Sequence, residues 1–244
     1  MSASTEQGER ALPQGRPVQF WRPAGAVFLA LSVGALAVGV FPELVLQPDY
    51  AGRFPHPPAL QVLLAAQAGL LILFWPLVAA RRRTLGGGAR RMLPGLATFA
   101  VEYLVVLAVS VPLYAIAAWF SDATAVDVLR GGLYLTAVAA GAWGLSLWIL
   151  KGHPTTATAV TLASALAAVG LPMIYYLLAE VTELSAPPQW MVLTAPATCA
   201  YSVAASRAAS WQPMPLWSWA FWPGVAAALA FARLLVRDRP AGNS

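Results

Sequence analysis

Six stretches of this chain run for about twenty residues each with almost no charge, and a helix needs a run of that length to cross the hydrocarbon core of a bilayer. They cover about 24–45, 59–80, 96–120, 131–150, 156–179 and 216–236. The whole composition agrees. Of 244 residues, 59% are hydrophobic and 10% charged, whereas an average soluble domain carries roughly 25% charged residues. Mean hydropathy is +0.66. So few polar side chains cannot coat a water-facing globule, which argues against a soluble enzyme, a disordered chain and a nucleic-acid-binding domain. No segment shows the dyad alternation of a membrane barrel. The expected fold class is therefore all-α, a polytopic membrane helix bundle.

The basic residues orient it. With six spans, one side holds Arg10, Arg16, Arg22, Arg81, Arg82, Arg83, Arg90, Arg91, Lys151, Arg233, Arg237 and Arg239. The other holds only Arg53, Arg130 and Arg207. Excess Lys and Arg mark cytoplasmic loops, so both termini are expected inside. The net charge of +5 is thus an orientation signal. The acids Glu43, Asp49, Asp122, Asp127, Glu180 and Glu183 fall on the outer side. Residues 1–20 read as a mobile cytoplasmic tail, 21–237 as a single transmembrane domain and 238–244 as a second cytoplasmic tail. The first span reads as a retained helix and not as a cleaved signal peptide, because the tail before it is long and not compactly basic.

One segment breaks the pattern. Residues 189–209 are apolar but carry Pro196 in the middle and Arg207 near the end. Proline removes a backbone donor and clashes with the preceding turn. Two short half-helices that dip into the outer face and break near Pro196 are preferred over one straight span, since a full crossing would put Arg233, Arg237 and Arg239 outside. Such a re-entrant segment, with Trp190, Pro196 and Arg207 along it, must pack against other spans, because irregular backbone at membrane depth cannot face lipid. In the outer loop 121–130, Ser121 or Asp122 is the expected cap of a short helix.

Chemistry-bearing residues are few. The single lysine, Lys151, has no glycine-rich approach of the kind that cradles phosphate, and Gly86-Gly87-Gly88 is not followed by Lys-Ser/Thr. His56 and His153 sit in proline-flanked loops on opposite sides, so they cannot share a metal. Cys199, the only cysteine, reads as a small buried hydrophobe. No catalytic cluster, metal site or cofactor motif is expected, and the chain reads as a non-enzyme. Glu102 is the one acid well inside a span, and an intramembrane charge marks either function or a structural hydrogen bond. Gln67, Tyr103, Tyr114, Tyr175 and Tyr176 are its candidate partners. Small residues recur four apart at Ala26, Ala30 and Gly34, at Ala137 and Gly141, and at Ala140 and Gly144; close packing within one chain is the first expectation for them. Arg81, Arg82, Arg83, Arg90 and Arg91 surround a short cytoplasmic connector, as a topology anchor that attracts anionic membrane lipids, as a docking element, or as both.

The layout of six spans, the basic connector ARRRTLGGGARRMLP after the second and the broken segment PPQWMVLTAPATCAYSVAA before the last resembles the permease subunit of type-2 ABC exporters. The likeness is one of topology and covers Trp21 to Arg237. The connector keeps Thr84 and Leu85 but has Arg and Gly where family members often have acids. The resemblance implies a multi-pass protein of the bacterial inner membrane. It implies pairing with a second permease chain and a separate cytoplasmic ABC ATPase received by Arg81, Arg82, Arg83, Thr84, Leu85, Arg90 and Arg91. A translocation path would draw on Gln67, Glu102, Tyr103, Tyr175 and Tyr176. The competing expectation is a non-transporting assembly or anchoring protein for a respiratory or cytochrome-maturation complex.

Overall fold

In hydrocarbon every backbone N–H and C=O must find its partner within the chain, and an apolar run does so most simply as a helix. A computed structural model describes residues 18–42, 58–84, 92–151, 153–182, 194–204 and 217–237, and among the described residues there is no strand. Helix α1 is Val18–Val40, α2 is Ala59–Thr84, α3 is Met92–Phe120 and α4 is Ala125–Lys151. Helix α5 (Pro154–Ala165) runs through a π-helical turn, Leu166–Gly170, into α6 (Leu171–Thr182). Helices α7 (Pro196–Ala204) and α8 (Trp217–Arg237) complete the set. The tails 1–17 and 238–244 lie outside the described residues.

Several helix ends depart from the sequence expectation, each for a local reason. Helix α1 stops at Val40 and not near 45, because Pro42 cannot continue the hydrogen-bond ladder and restricts the residue before it. Helix α2 runs on through Arg81, Arg82, Arg83 and Thr84, so these residues are helical and not loop. Arginine is a good helix former, and cations at a helix C-terminus suit its dipole. Helix α4 starts at Ala125, about six residues early, on a reciprocal cap. The Thr124 backbone N–H and hydroxyl donate to Asp127 Oδ2 at 2.9 and 2.6 Å, and the Asp127 N–H faces Thr124 Oγ1 at 3.4 Å. Neither Ser121 nor Asp122 caps that helix. Ser121 instead accepts the Leu60 N–H at 2.9 Å, capping α2 across the fold. Asp122 supplies the left-handed turn (φ 49°) that reverses the chain. The π turn went unforeseen, although Pro172 signals it: a proline there has no N–H for the preceding turn and its ring crowds the carbonyl four residues back.

Helix α2 stands at the centre, packed by α1, α3, α4, α5, the π turn and α7. Contacts set the direction of each neighbour. Ser32 bonds Gln67 and the Phe28 ring meets Trp75 at 6.3 Å, so α1 is antiparallel to α2. Ser110 bonds Gln67 and Phe99 meets Trp75 at 5.3 Å, so α3 is antiparallel too. Gly131 faces Leu64, and Ala79 clusters with Ile149, so α4 runs parallel to α2. The α5–α6 rod returns antiparallel, with Ala157 beside Ala79 and the Ala168 carbonyl beside Gly69. Helix α8 lies on α4 in parallel register: Gly141 meets Trp222, Gly144 meets Ala226, and Trp148 bonds Leu229.

Glycine makes two of these approaches possible. A Cβ on Gly144 would stand 2.8 Å from Ala226 Cα, and one on Gly39 would stand 2.6 Å from Ala59 Cα. Both distances are too short for any side chain, so the backbones touch where lipid gives helices no hydrophobic drive to associate. The small-residue pattern at Gly141 and Gly144 therefore serves packing within the chain. That of α1 does not: Ala26, Ala30 and Gly34 are exposed, with nothing near Gly34.

The surface is inside out relative to a soluble protein. On α3 the buried stripe Phe99, Glu102, Tyr103, Ser110, Tyr114 and Ala117 recurs at helical spacing and holds polar residues, while Val101, Leu104, Val105, Val109 and Val111 are exposed. Trp119, near the C-terminal end of that helix, is 84% exposed. Four helical stretches are long and apolar enough to cross a membrane: Ala59–Arg81, Ala97–Phe120, Ala125–Leu150 and Pro154–Ile174. Two shorter apolar stretches, Gly25–Val40 and Trp219–Leu235, lie within α1 and α8.

Candidate functional site

Three helices meet at one buried amide. Gln67 lies about 12 Å along α2 from its start and is fully enclosed, as are Ser32 on α1 and Ser110 on α3. Gln67 Nε2 donates to Ser32 Oγ at 3.3 Å and to Ser110 Oγ at 3.1 Å, and Oε1 accepts from the Tyr114 hydroxyl. The amide thus places both N–H donors and its carbonyl. A buried polar network of this kind holds helices in one register only while all its members are paired. Ser32 and Ser110 were not singled out in the sequence. The available signal was spacing, since Ser110 and Tyr114 are one turn apart on the face that also carries Glu102.

Glu102 is buried on α3 about 12 Å below Ser110, two turns from the Gln67 cluster and near the level where Trp75 meets Phe99. Tyr103 turns to α4, where its hydroxyl lies 3.0 Å from Thr136 Oγ1. Thr136 spends its own proton on the Gly132 carbonyl at 2.9 Å, so Tyr103 is the donor. The structure therefore brings Gln67 together with Tyr114 but not with Glu102 or Tyr103. Tyr175 and Tyr176 lie on α6, beyond the π turn.

A second junction forms where α7 enters. Thr194 is helical, Ala195 is not, and the helix restarts with Pro196 in its first turn, where a missing N–H costs nothing. The chain breaks at Pro196, as its sequence indicates. The Ala195 carbonyl accepts the Cys199 N–H at 3.1 Å, and the Tyr134 hydroxyl reaches the Pro196 carbonyl at 3.5 Å. Ala197 packs near Gly69, while Ala195, Pro196, Cys199 and Ala200 are buried against α2 and α4. Gly69 and Tyr134 lie about 15 and 14 Å from the starts of their helices, so Pro196 packs well in from the N-terminal ends of α2 and α4. The other two members of the expected re-entrant set, Trp190 and Arg207, lie outside the described residues.

Of the basic connector, Arg81 is exposed at the end of α2, and Arg82, Arg83 and Thr84 occupy its last turn. Leu85, Arg90 and Arg91 lie outside the described residues.

These features define a class: an all-helical membrane protein with, among the described residues, four helical stretches of spanning length, of which α2 is the central one. Compared with family models, with curated proteins and with solved structures, the chain matches none.

Proposed function

We propose that this chain is the membrane-spanning permease subunit of an ATP-driven exporter of the bacterial inner membrane. A separate cytoplasmic ATPase powers it. The chain crosses six times, and residues 189–209 enter from the outer face and return. The observation that carries this reading is the parity of helix directions. Helix α5–α6 runs antiparallel to α4, and α8 runs parallel to α4. The chain therefore leaves α6 at the same end of the bundle at which α8 begins. Between them α7 has nine residues, about 14 Å, which is too short to cross about 30 Å of hydrocarbon. A broken helix that goes in and comes out on one side satisfies both facts. It also leaves Arg81, Lys151, Arg233 and Arg237 at one end, as the positive-inside rule asks.

Helices α1 and α8, 23 and 21 residues long, reach about 34 and 31 Å and supply the first and last crossings. The connector that would receive the ATPase prolongs α2, the helix packed by six neighbours. A push at Arg81–Thr84 and onward through 94 is thereby delivered to most of the bundle at once, which suits nucleotide-driven rocking of two paired permease chains. Glu102 and Tyr103, buried on the inner half of α3, and Tyr175 and Tyr176 on α6 are the polar groups such a path would draw on. Gln67 contributes by holding α1, α2 and α3 in register.

The test is copurification with an ATPase, followed by charge reversal of Arg82, Arg83, Arg90 and Arg91 to Glu. Loss of the complex, and of nucleotide-dependent transport in vesicles, is the expected result. Full association after all four reversals refutes docking at this connector. Stable association with a membrane complex that contains no ATPase favours the assembly or anchoring role.

A further inference from the structure

The α5–α6 rod has two halves that are held differently. Along α5 and into the π turn, Ala157, Ser164 and Ala168 are buried, and Ala157 clusters with Ala79 and Ile149. This half is fastened to α2 and α4. Beyond Ala168 none of the described side chains of the rod is buried, and Met173, Ile174, Leu177 and Leu178 are exposed. Among the described residues, the one substantial packing partner of α6 is the π turn from which it grows. The join is weakly laddered. The Leu171 N–H bonds the Leu166 carbonyl, five residues back instead of four. Pro172 has no N–H, so the Ala168 carbonyl loses its α-helical donor. That carbonyl faces Gly69 of α2, 3.6 Å from where a Cβ would stand. Gly69 has no side chain to lock the turn in one setting.

We infer that Leu166–Gly170 is a hinge on which α6 swings as an arm while α5 stays fixed to the bundle. Sharp bends in helices collect at prolines and π turns, where fewer ladder bonds resist a change of angle. An arm that buries few side chains gives up little packing when it moves. Helix α6 has twelve residues, so a change of about 20° in the bend, the scale of such kinks, carries the far end of an arm about 18 Å long through about 6 Å. Helix α7 packs on α2 beside the same turn, with the Ala197 Cβ 3.9 Å from the Cβ position of Gly69. The swing therefore sets the spacing between α6 and α7, and Tyr175 and Tyr176 travel with the arm. The inference needs only that this helix crosses a membrane, and it stands whether the chain transports or assembles.

Double electron–electron resonance on the whole protein in lipid nanodiscs tests it, with Cys199→Ala as the background for spin labelling. Leu129→Cys on α4 paired with Leu177→Cys reads the arm, and Leu129→Cys paired with Leu162→Cys reads the fixed half; all three positions are exposed. Leu177 lies about 9 Å along α6, so the arm pair should give a distance distribution about 3 Å wider than the fixed pair for a swing of about 20°. Pro172→Ala returns a donor to the Ala168 carbonyl and should bring the arm pair to the width of the fixed pair. Gly170→Ala adds a good helix former whose Cβ would meet only the side chain of Leu166, and it should narrow the arm pair in part. Equal widths for the two pairs overturn the hinge. So does an arm pair left as wide by Pro172→Ala or, should that variant not fold, by Gly170→Ala.

Discussion

Replacing Gln67 by Leu tests whether one amide holds three helices. The two side chains are close in volume, so the change leaves no large cavity and isolates the hydrogen bonds. Three are lost: two donated to Ser32 and Ser110 and one accepted from Tyr114. Within membranes such bonds average about 0.6 kcal/mol each, or about 2 kcal/mol for the set. The loss is uneven. A serine can turn its hydroxyl to the carbonyl four residues back, as Ser146 does with Ala142 at 2.7 Å and Ser164 with Val160 at 2.8 Å. Tyr114 is buried and keeps only Ser110 beside its hydroxyl, and a buried donor left without a partner costs about 1–3 kcal/mol. About half of the effect should therefore be coupled to Tyr114. Reversible unfolding in mixed micelles, run as a double-mutant cycle with Tyr114→Phe, measures it. Gln67→Leu is expected to lose about 2 kcal/mol, and the double variant to lose less than the sum by about 1 kcal/mol. Additivity within about 0.3 kcal/mol would show that the Tyr114 bond carries no weight and that the helices are held by packing alone.

Two other outcomes follow from the same geometry. Gly144→Val must push α8 off α4, because its Cβ would stand 2.8 Å from the Ala226 backbone. A loss of about 1–3 kcal/mol is expected, while Gly224→Ala, with open space around it, should stay within about 0.5 kcal/mol of wild type; equal effects at both sites would contradict the close approach. A reporter inserted at 210–215 should be accessible from outside and one after Arg237 from inside. A 210–215 reporter found inside would require a seventh crossing, reverse the tail and undo the parity argument.

Much of this was legible because hydrocarbon tolerates so few solutions. The length of each apolar run and the absence of polar cover point to membrane helices without any knowledge of packing. The break at Pro196 was legible for the same reason, since a missing backbone donor is a covalent property of the residue. Other features were not. Nothing local told that Ser121 caps α2 across the fold while Thr124 and Asp127 cap α4, because the choice between neighbouring cap residues depends on which free N–H groups come near. Nor did the sequence separate Gly144, which meets a backbone, from Gly34, which meets nothing. Both sit in the same small-residue spacing.

The chain by itself determined that it is helical and apolar enough for a membrane, because composition and hydrogen-bond demand act residue by residue. Only the tertiary structure decided what those helices do to one another. It made α2 the axis of the bundle and turned α8 parallel to α4. It also separated Gln67 from Glu102, using the first to tie α1, α2 and α3 and leaving the second two turns deeper. Contacts between residues dozens of positions apart fix these choices. Apolar periodicity does not register them, because on helices this uniformly apolar every face can be buried until a neighbour selects one.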